Sequence, residues 1–256
     1  MRKALLFLLV TALAACSCNQ SVMKESQQRN PVIVAHRGGA GLGMENSLSC
    51  IAKGIEAGAN MVEIDIHLTS DNHIVVCHDR TVDRTTDGKG KIAEMTFEEL
   101  RRLHLTDADG KPSDETLPTL AEVLDLCKGR CGILLEIKKK KGLYEGIEQL
   151  AYDEVKAHDM TDQVVFQSFD DDVLFKLHET DPSLRLEKLR FFTLSSLEKY
   201  SFVASFNIHH SLVTKRFIRR VHEAGKEVKV WTLDKPSKVP TDVDGVITNR
   251  PDLFVK

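Results

Sequence analysis

From residue 32 onward, the chain alternates short apolar runs with stretches of helical periodicity. Apolar runs at 32–35, 61–66, 132–137, 163–167, 189–193, 202–207, 228–232 and 245–248 predict eight strands. Helical patterns at 47–57, 120–128, 144–158, 170–178 and 214–224 fall between them, with only a short turn at 195–200. Residues 73–77 predict an extended segment beside the second strand, and 81–113 a polar, turn-rich excursion from the domain. Within that excursion, Thr96 with Glu99 three residues later makes a capping box for a helix over 96–103. About eight strand–helix units in one domain point to a parallel (β/α)8 TIM barrel with a small insertion after the second strand. A doubly wound open sheet is the competing architecture, but no Gly-rich dinucleotide turn follows the first strand.

The same alternation picks out chemistry. Residues i and i+2 of a strand share a face, so Glu63 and Asp65 point one way while Val62, Ile64 and Ile66 face the helical layer. Two carboxylates held together raise each other's pKa until one protonates, unless a cation lies between them. Glu136, in the otherwise apolar run Gly132–Ile137, also needs a metal or a partner. Lys138 shares its face, which leaves a Glu136–Lys138 ion pair as the alternative to metal ligation. Oxygen-only ligands favour Ca2+ or Mg2+ over zinc.

A barrel gathers catalytic groups at the C-terminal ends of its strands. His36 ends the first predicted strand, Glu63 and Asp65 the second, Glu136 the third and Trp231 the seventh. His36 and His78 each sit where a strand meets a polar loop, and two such imidazoles can supply a base and an acid. Spacing does not say which is which. Arg37 can fork onto phosphate oxygens. A glycosidase also pairs acids in a barrel, but it has no use for two histidines.

Composition bounds the rest. With 256 residues, 42% hydrophobic and 29% charged, the chain can bury one large domain, and a net charge of −3 argues against a nucleic-acid partner. Residues 1–16 read as a leader: Arg2 and Lys3, an apolar run, then a small-residue processing site. Leu13-Ala-Ala-Cys16 resembles the lipobox of bacterial lipoproteins, which makes Cys16 the expected lipidation site and the product a membrane-anchored protein of the cell envelope. Residues 17–30 read as a polar tether and 31–256 as the barrel domain. The other five cysteines are an odd number, and unpaired thiols are expected.

Several motifs then fall in order: Ala35-His-Arg-Gly38, Glu45-Asn-Ser47, Glu63-Ile-Asp65, His78-Asp79, Arg84-Thr-Thr-Asp-Gly88, Glu136-Ile-Lys138, Gln167-Ser-Phe169, Val230-Trp-Thr232 and Gly245-Val-Ile-Thr-Asn-Arg-Pro-Asp252. Together they resemble the glycerophosphodiester phosphodiesterase family over about residues 32–252. The resemblance implies metal-dependent hydrolysis of glycerophosphodiesters to sn-glycerol 3-phosphate and an alcohol. It places the catalytic histidines on His36 and His78, and one divalent ion on Glu63, Asp65 and Glu136. It also implies Arg37 and Lys138 near the phosphate, Trp231 against the glycerol, and Glu45 with Asn46 at the rim. Met44 stands where the family usually has Pro, and Asn249 where it often has Asp. The alternatives are a phospholipase-type enzyme acting on lysophospholipid or phospholipid headgroups, and a metal-binding surface lipoprotein without catalysis.

Overall fold

The computed structural model describes residues 30–140 and 142–255. The expected leader, Cys16 and nearly all of the tether lie outside them. Among the described residues no helix is long and apolar enough to cross a membrane.

Nine strands form one sheet: β1 (Val32–Ala35), β2 (Met61–Leu68), β3 (Ile74–Val76), β4 (Gly132–Ile137), β5 (Val164–Ser168), β6 (Leu186–Arg190), β7 (Ser205–His209), β8 (Glu227–Trp231) and β9 (Gly245–Thr248). All but β3 are joined in parallel pairings, and β1 pairs with both β9 and β2, so eight strands close into the expected barrel. β3 lies antiparallel on β2, with Ile66 opposite Val76. The helices are α1 (Leu48–Glu56), α2 (Phe97–Leu100), α3 (Leu120–Cys127), α4 (Ile147–Ala157), α5 (Asp171–Thr180) and α6 (Lys215–Glu223). After β6, β8 and β9 the connections hold only single 3-10 turns.

Side-chain alternation separates two environments. Val62, Ile64 and Ile66 of β2, Ile133, Leu135 and Ile137 of β4, and Val228 and Val230 of β8 join the outer layer against the helices. The inward set is smaller: Val34, Leu134, Val165 and Ile247 form one apolar cluster inside the barrel. Beside it runs a chain of buried polar groups, in which Asn207 Nδ2 donates to Gln167 Oε1 at 2.8 Å and to Glu187 Oε2 at 2.9 Å, and Lys229 pairs with Glu187. The insertion carries its own small core of Val82, Ile92, Leu100 and Leu105 with Val75 and Cys77, and the capping box at Thr96 and Glu99 forms. Cys50, Cys77, Cys127 and Cys131 are free thiols.

Two strands lie three residues from where the pattern put them. The fifth barrel strand is Leu186–Arg190, not 189–193, and the sixth begins at Ser205, not 202. The charged pair Glu187-Lys188 hid the former, because each is buried on a different face with its own partner. Glu187 takes Lys229 inside the barrel; Lys188, 1% exposed, takes Asp171 of α5 at 2.7 Å and the Phe169 carbonyl at 2.6 Å outside it. Phe191 and Phe192, which read as strand, are exposed at the rim.

Lys188 therefore depends on Asp171. Burial alone would raise the Asp171 carboxyl, but hydrogen bonds from Lys188 and Lys199 hold it at about 2. An Asp171→Asn change strands the buried ammonium, and the expected cost is about 2–3 kcal/mol, below the figure for a fully buried pair because Asp171 is partly exposed. The carboxylate's pKa is depressed, so its contribution is present above the ordinary carboxylate range and lost as pH falls toward 2. Chemical denaturation checks this; a variant as stable as the parent at pH 7 would show that Lys188 is satisfied without Asp171.

Candidate active site

The turn after β1 sets the site. Arg37, Gly38 and Gly39 all have positive φ (50°, 79° and 100°), an arrangement that reverses the chain within one residue of His36. Holding a non-glycine residue there costs about 1 kcal/mol or more. The Arg37 backbone is pinned on both sides, its N–H donating to Glu63 Oε2 at 2.8 Å and its carbonyl accepting from Asn46 at 2.8 Å. Close packing fixes the turn against α1: a Cβ on Gly54 would meet the Gly38 carbonyl oxygen at 2.3 Å.

β2 and β4 supply the acids. Register places Asp65 beside Glu136 and Glu136 beside Gln167, so three adjacent strands offer polar side chains at one height. Glu63 and Asp65 lie within β2, which runs on to Leu68, and not at its end. Ligand oxygens of Glu63, Asp65 and Glu136 fall within 4.8 Å of one another, and all three residues are buried. The Lys138 ammonium forms ion pairs with Glu136 Oε1 at 2.8 Å and with Asp65 Oδ1 at 2.9 Å. Gln167 Nε2 donates to Glu63 Oε1, and Asn46 Nδ2 to Asp65 Oδ2.

The electrostatics follow from burial. Burial and then the charges of Asp65 and Glu136 push the Glu63 carboxyl well above its usual value. Burial pushes Glu136 to about 7 despite Lys138. Burial opposes ionisation of Asp65 too, yet Lys138, His78 and Arg37 outweigh it and hold this carboxyl low. For Lys138 burial is likewise overcome, and its two carboxylate neighbours raise it. With all three carboxylates ionised, one ammonium leaves a deficit of two positive charges at a buried oxygen cluster, the requirement a divalent ion would meet.

Both histidines reach this place. His36 Nδ1 lies 2.7 Å from Asn249 Oδ1, and Asp234 accepts from the Asn249 side chain and backbone N–H at 2.9 and 2.7 Å. Burial first, then Arg37, drops the His36 imidazole to about 4. His78 Nδ1 lies 2.7 Å from Asp79 Oδ1, whose other oxygen accepts from Arg84 at 2.6 Å. Burial lowers His78 as well, while Asp65 and Asp79 oppose the shift. A pocket of about 140 Å³ is lined by His36, Arg37, Glu63, His78, Glu136, Lys138 and Trp231, with Phe169 and Phe191 completing an aromatic wall. Trp231 donates from Nε1 to the Asn207 carbonyl at 3.0 Å, and Phe191 meets it edge-on at 5.2 Å.

Glu45 sits elsewhere. It accepts from Arg37 and doubly from Arg84, outside the pocket wall, so it fixes two guanidinium groups. Sequence reasoning missed Asp79, Asn249 and Asp234 as histidine partners and Gln167 as a partner of Glu63. It left His67 open; this fully buried ring, lowered to about 4 chiefly by burial, holds the His78 carbonyl from Nε2 at 3.2 Å. Gln167 was visible only as part of a family motif, and Asn249 only as a departure from one.

A family model described as the glycerophosphoryl diester phosphodiesterase family matches residues 36–253. A glycerophosphodiester phosphodiesterase of Caldanaerobacter subterraneus is 30% identical over 236 residues, covering 88% of this chain and 96% of that protein. Among solved structures, a phosphodiesterase of Oleispira antarctica in complex with the product sn-glycerol-3-phosphate superposes with a TM-score of 0.81 at 26% identity, over 88% of this chain and 95% of that one. A glycerophosphodiester phosphodiesterase of Thermotoga maritima does so at 0.70 and 27%, over 88% and 97%.

The charge deficit predicts how the site responds to ions. Adding Ca2+ or Mg2+ to chelated protein is expected to stabilise it by about 2.7 kcal/mol at roughly a hundredfold excess over Kd. Glu136→Gln should remove most of that response. The Glu136 pKa is raised on folding, so in chelated protein the parent should lose stability relative to the Gln variant as pH rises from the ordinary carboxylate range to about 7. Thermal melts across pH, with and without ion, measure both. A Gln variant with the parent's ion response would remove Glu136 from the ligand set.

Proposed function

The chain belongs to the glycerophosphoryl diester phosphodiesterase family, and from that membership we propose that it hydrolyses glycerophosphodiesters to sn-glycerol 3-phosphate and an alcohol. One observation carries the proposal: His36 and His78 line the same small pocket as Glu63 and Glu136, at a cluster of three carboxylates close enough to share one ion. Glu63, Asp65 and Glu136 would hold Ca2+ or Mg2+, and their all-oxygen donor set with a deficit of two charges supports either. When bound, the ion supplies charge stabilisation and a template for substrate oxygens.

The protein's own groups divide the remaining work. Asp234 accepts from Asn249 Nδ2, which turns the amide oxygen toward His36. That oxygen only accepts, so His36 Nδ1 must carry the proton and Nε2 is bare. Burial keeps the ring neutral, and His36 is therefore the general base for the nucleophile, whether water or the glycerol 2-hydroxyl. His78 faces a carboxylate instead: Asp79 stabilises its cationic form, as a general acid for the leaving oxygen requires. Arg37 and Lys138 lie on the pocket wall, where their charges can meet the non-bridging phosphate oxygens. Trp231, Phe169 and Phe191 offer an apolar face to the glycerol C–H groups.

Phe191 and Phe192, 54% and 66% exposed beside that wall, favour a second reading in which the substrate is a lysophospholipid whose acyl chain lies across the rim. Comparing lysophosphatidylcholine with glycerophosphocholine separates the two. The leader-like residues 1–16 and Cys16 support an exported, membrane-anchored protein, which suits either substrate.

His36→Ala and His78→Ala are each expected to lower kcat on glycerophosphocholine by about 10²–10⁴ with the fold retained. Release of sn-glycerol 3-phosphate, followed with added ion and with chelator, is the readout. Near-full turnover by either variant sinks the acid/base assignment, and no turnover of any diester by ion-loaded parent protein favours a binding lipoprotein without catalysis.

A further inference from the structure

Building on the proposed hydrolysis, we propose that the cleft on the outer side of His78 receives the leaving alcohol, and that Arg80 selects alcohols bearing an anionic group. Two cavities meet at His78. The inner one, about 140 Å³, holds His36 and Trp231; the outer one, about 390 Å³, is lined by His67, His78, Asp79, Arg80, Lys139 and Asp170. They share His78, Glu136, Lys138 and Phe169 in their linings, so they adjoin at these four side chains.

A phosphodiester has two arms. The inner pocket is the smaller of the two, and with Trp231 on its wall it suits the glyceryl unit. His36 lines only the inner cavity, whereas His78 lines both. A nucleophile activated at His36 expels the opposite ester oxygen, which takes its proton from His78 as the P–O bond breaks. The departing alcohol is then already in the outer cleft.

The charges of that cleft are almost all committed. Lys138 pairs with Asp65 and Glu136, and Lys139 with Glu148 at 2.9 Å. Asp79 pairs with His78 and Arg84, and Asp170 Oδ1 caps the first turn of α5. Arg80 is exposed, and among the described residues its guanidinium has no hydrogen-bond or ion-pair partner. A planar fork of donors at the cleft wall recognises a carboxylate or phosphate. Of the two common headgroups, serine carries such an anionic group and choline does not.

The test compares kcat/KM for sn-glycero-3-phosphoserine and sn-glycero-3-phosphocholine in the ion-loaded parent, Arg80→Gln and Arg80→Glu. The serine-to-choline ratio is expected to fall about tenfold in the Gln variant, the loss of one charge-assisted contact, and further in the Glu variant, mainly through KM. A ratio within about twofold of the parent's in both variants, or a change confined to kcat, overturns the assignment while leaving the hydrolytic reading intact. Absence of turnover of either diester by the parent overturns both.

Discussion

Three carboxylates buried within reach of one another, with a single ammonium between them, constrain everything else at the mouth of this barrel. Uncompensated, such a cluster would be expelled toward water or protonated. The fold holds it by register, since adjacent strands place Asp65, Glu136 and Gln167 in one row. Donors are then brought to it: the Arg37 N–H and Gln167 to Glu63, Asn46 to Asp65, and Lys138 to the acids it faces. The backbone strain at Arg37 has its reason here, because a relaxed turn would aim that N–H elsewhere.

The same turn carries His36, so the acidic cluster and the proposed general base are mechanically one unit. Each histidine is held by a different kind of partner. His36 meets an amide fixed by Asp234, which favours a neutral ring with a bare Nε2. His78 meets a carboxylate braced by Arg84, and Arg84 is braced by Glu45, which also holds Arg37. Two imidazoles of equal intrinsic pKa are thus biased toward opposite roles by what touches Nδ1.

Much of this was legible before any coordinates. A period of two along 61–66 already separated Glu63 and Asp65 from Val62, Ile64 and Ile66, and the alternation of strands and helices already implied a barrel. Failures came where burial and polarity part company. β6 was displaced because Glu187 and Lys188 look like surface residues, although each has a buried partner supplied from a distant segment. Glu45 read as a rim residue, and sequence could not show that two arginines converge on it. Asn249 stood out only as a departure from the family's usual Asp; its contact with His36 spans 213 residues, beyond any local pattern.

The central claim is that Glu63, Asp65 and Glu136 share one divalent ion, beside which the substrate phosphate lies between His36 and His78. Anomalous diffraction from crystals grown with Mn2+, a scattering substitute for Mg2+, and glycerol 3-phosphate tests it most directly. The expected map has one strong peak at about 2.0–2.6 Å from an oxygen of each of the three carboxylates, with the phosphate beside it and Lys138 turned from Asp65 toward the phosphate. A peak that lacks any of the three carboxylates, or a phosphate bound away from both histidines, would contradict it.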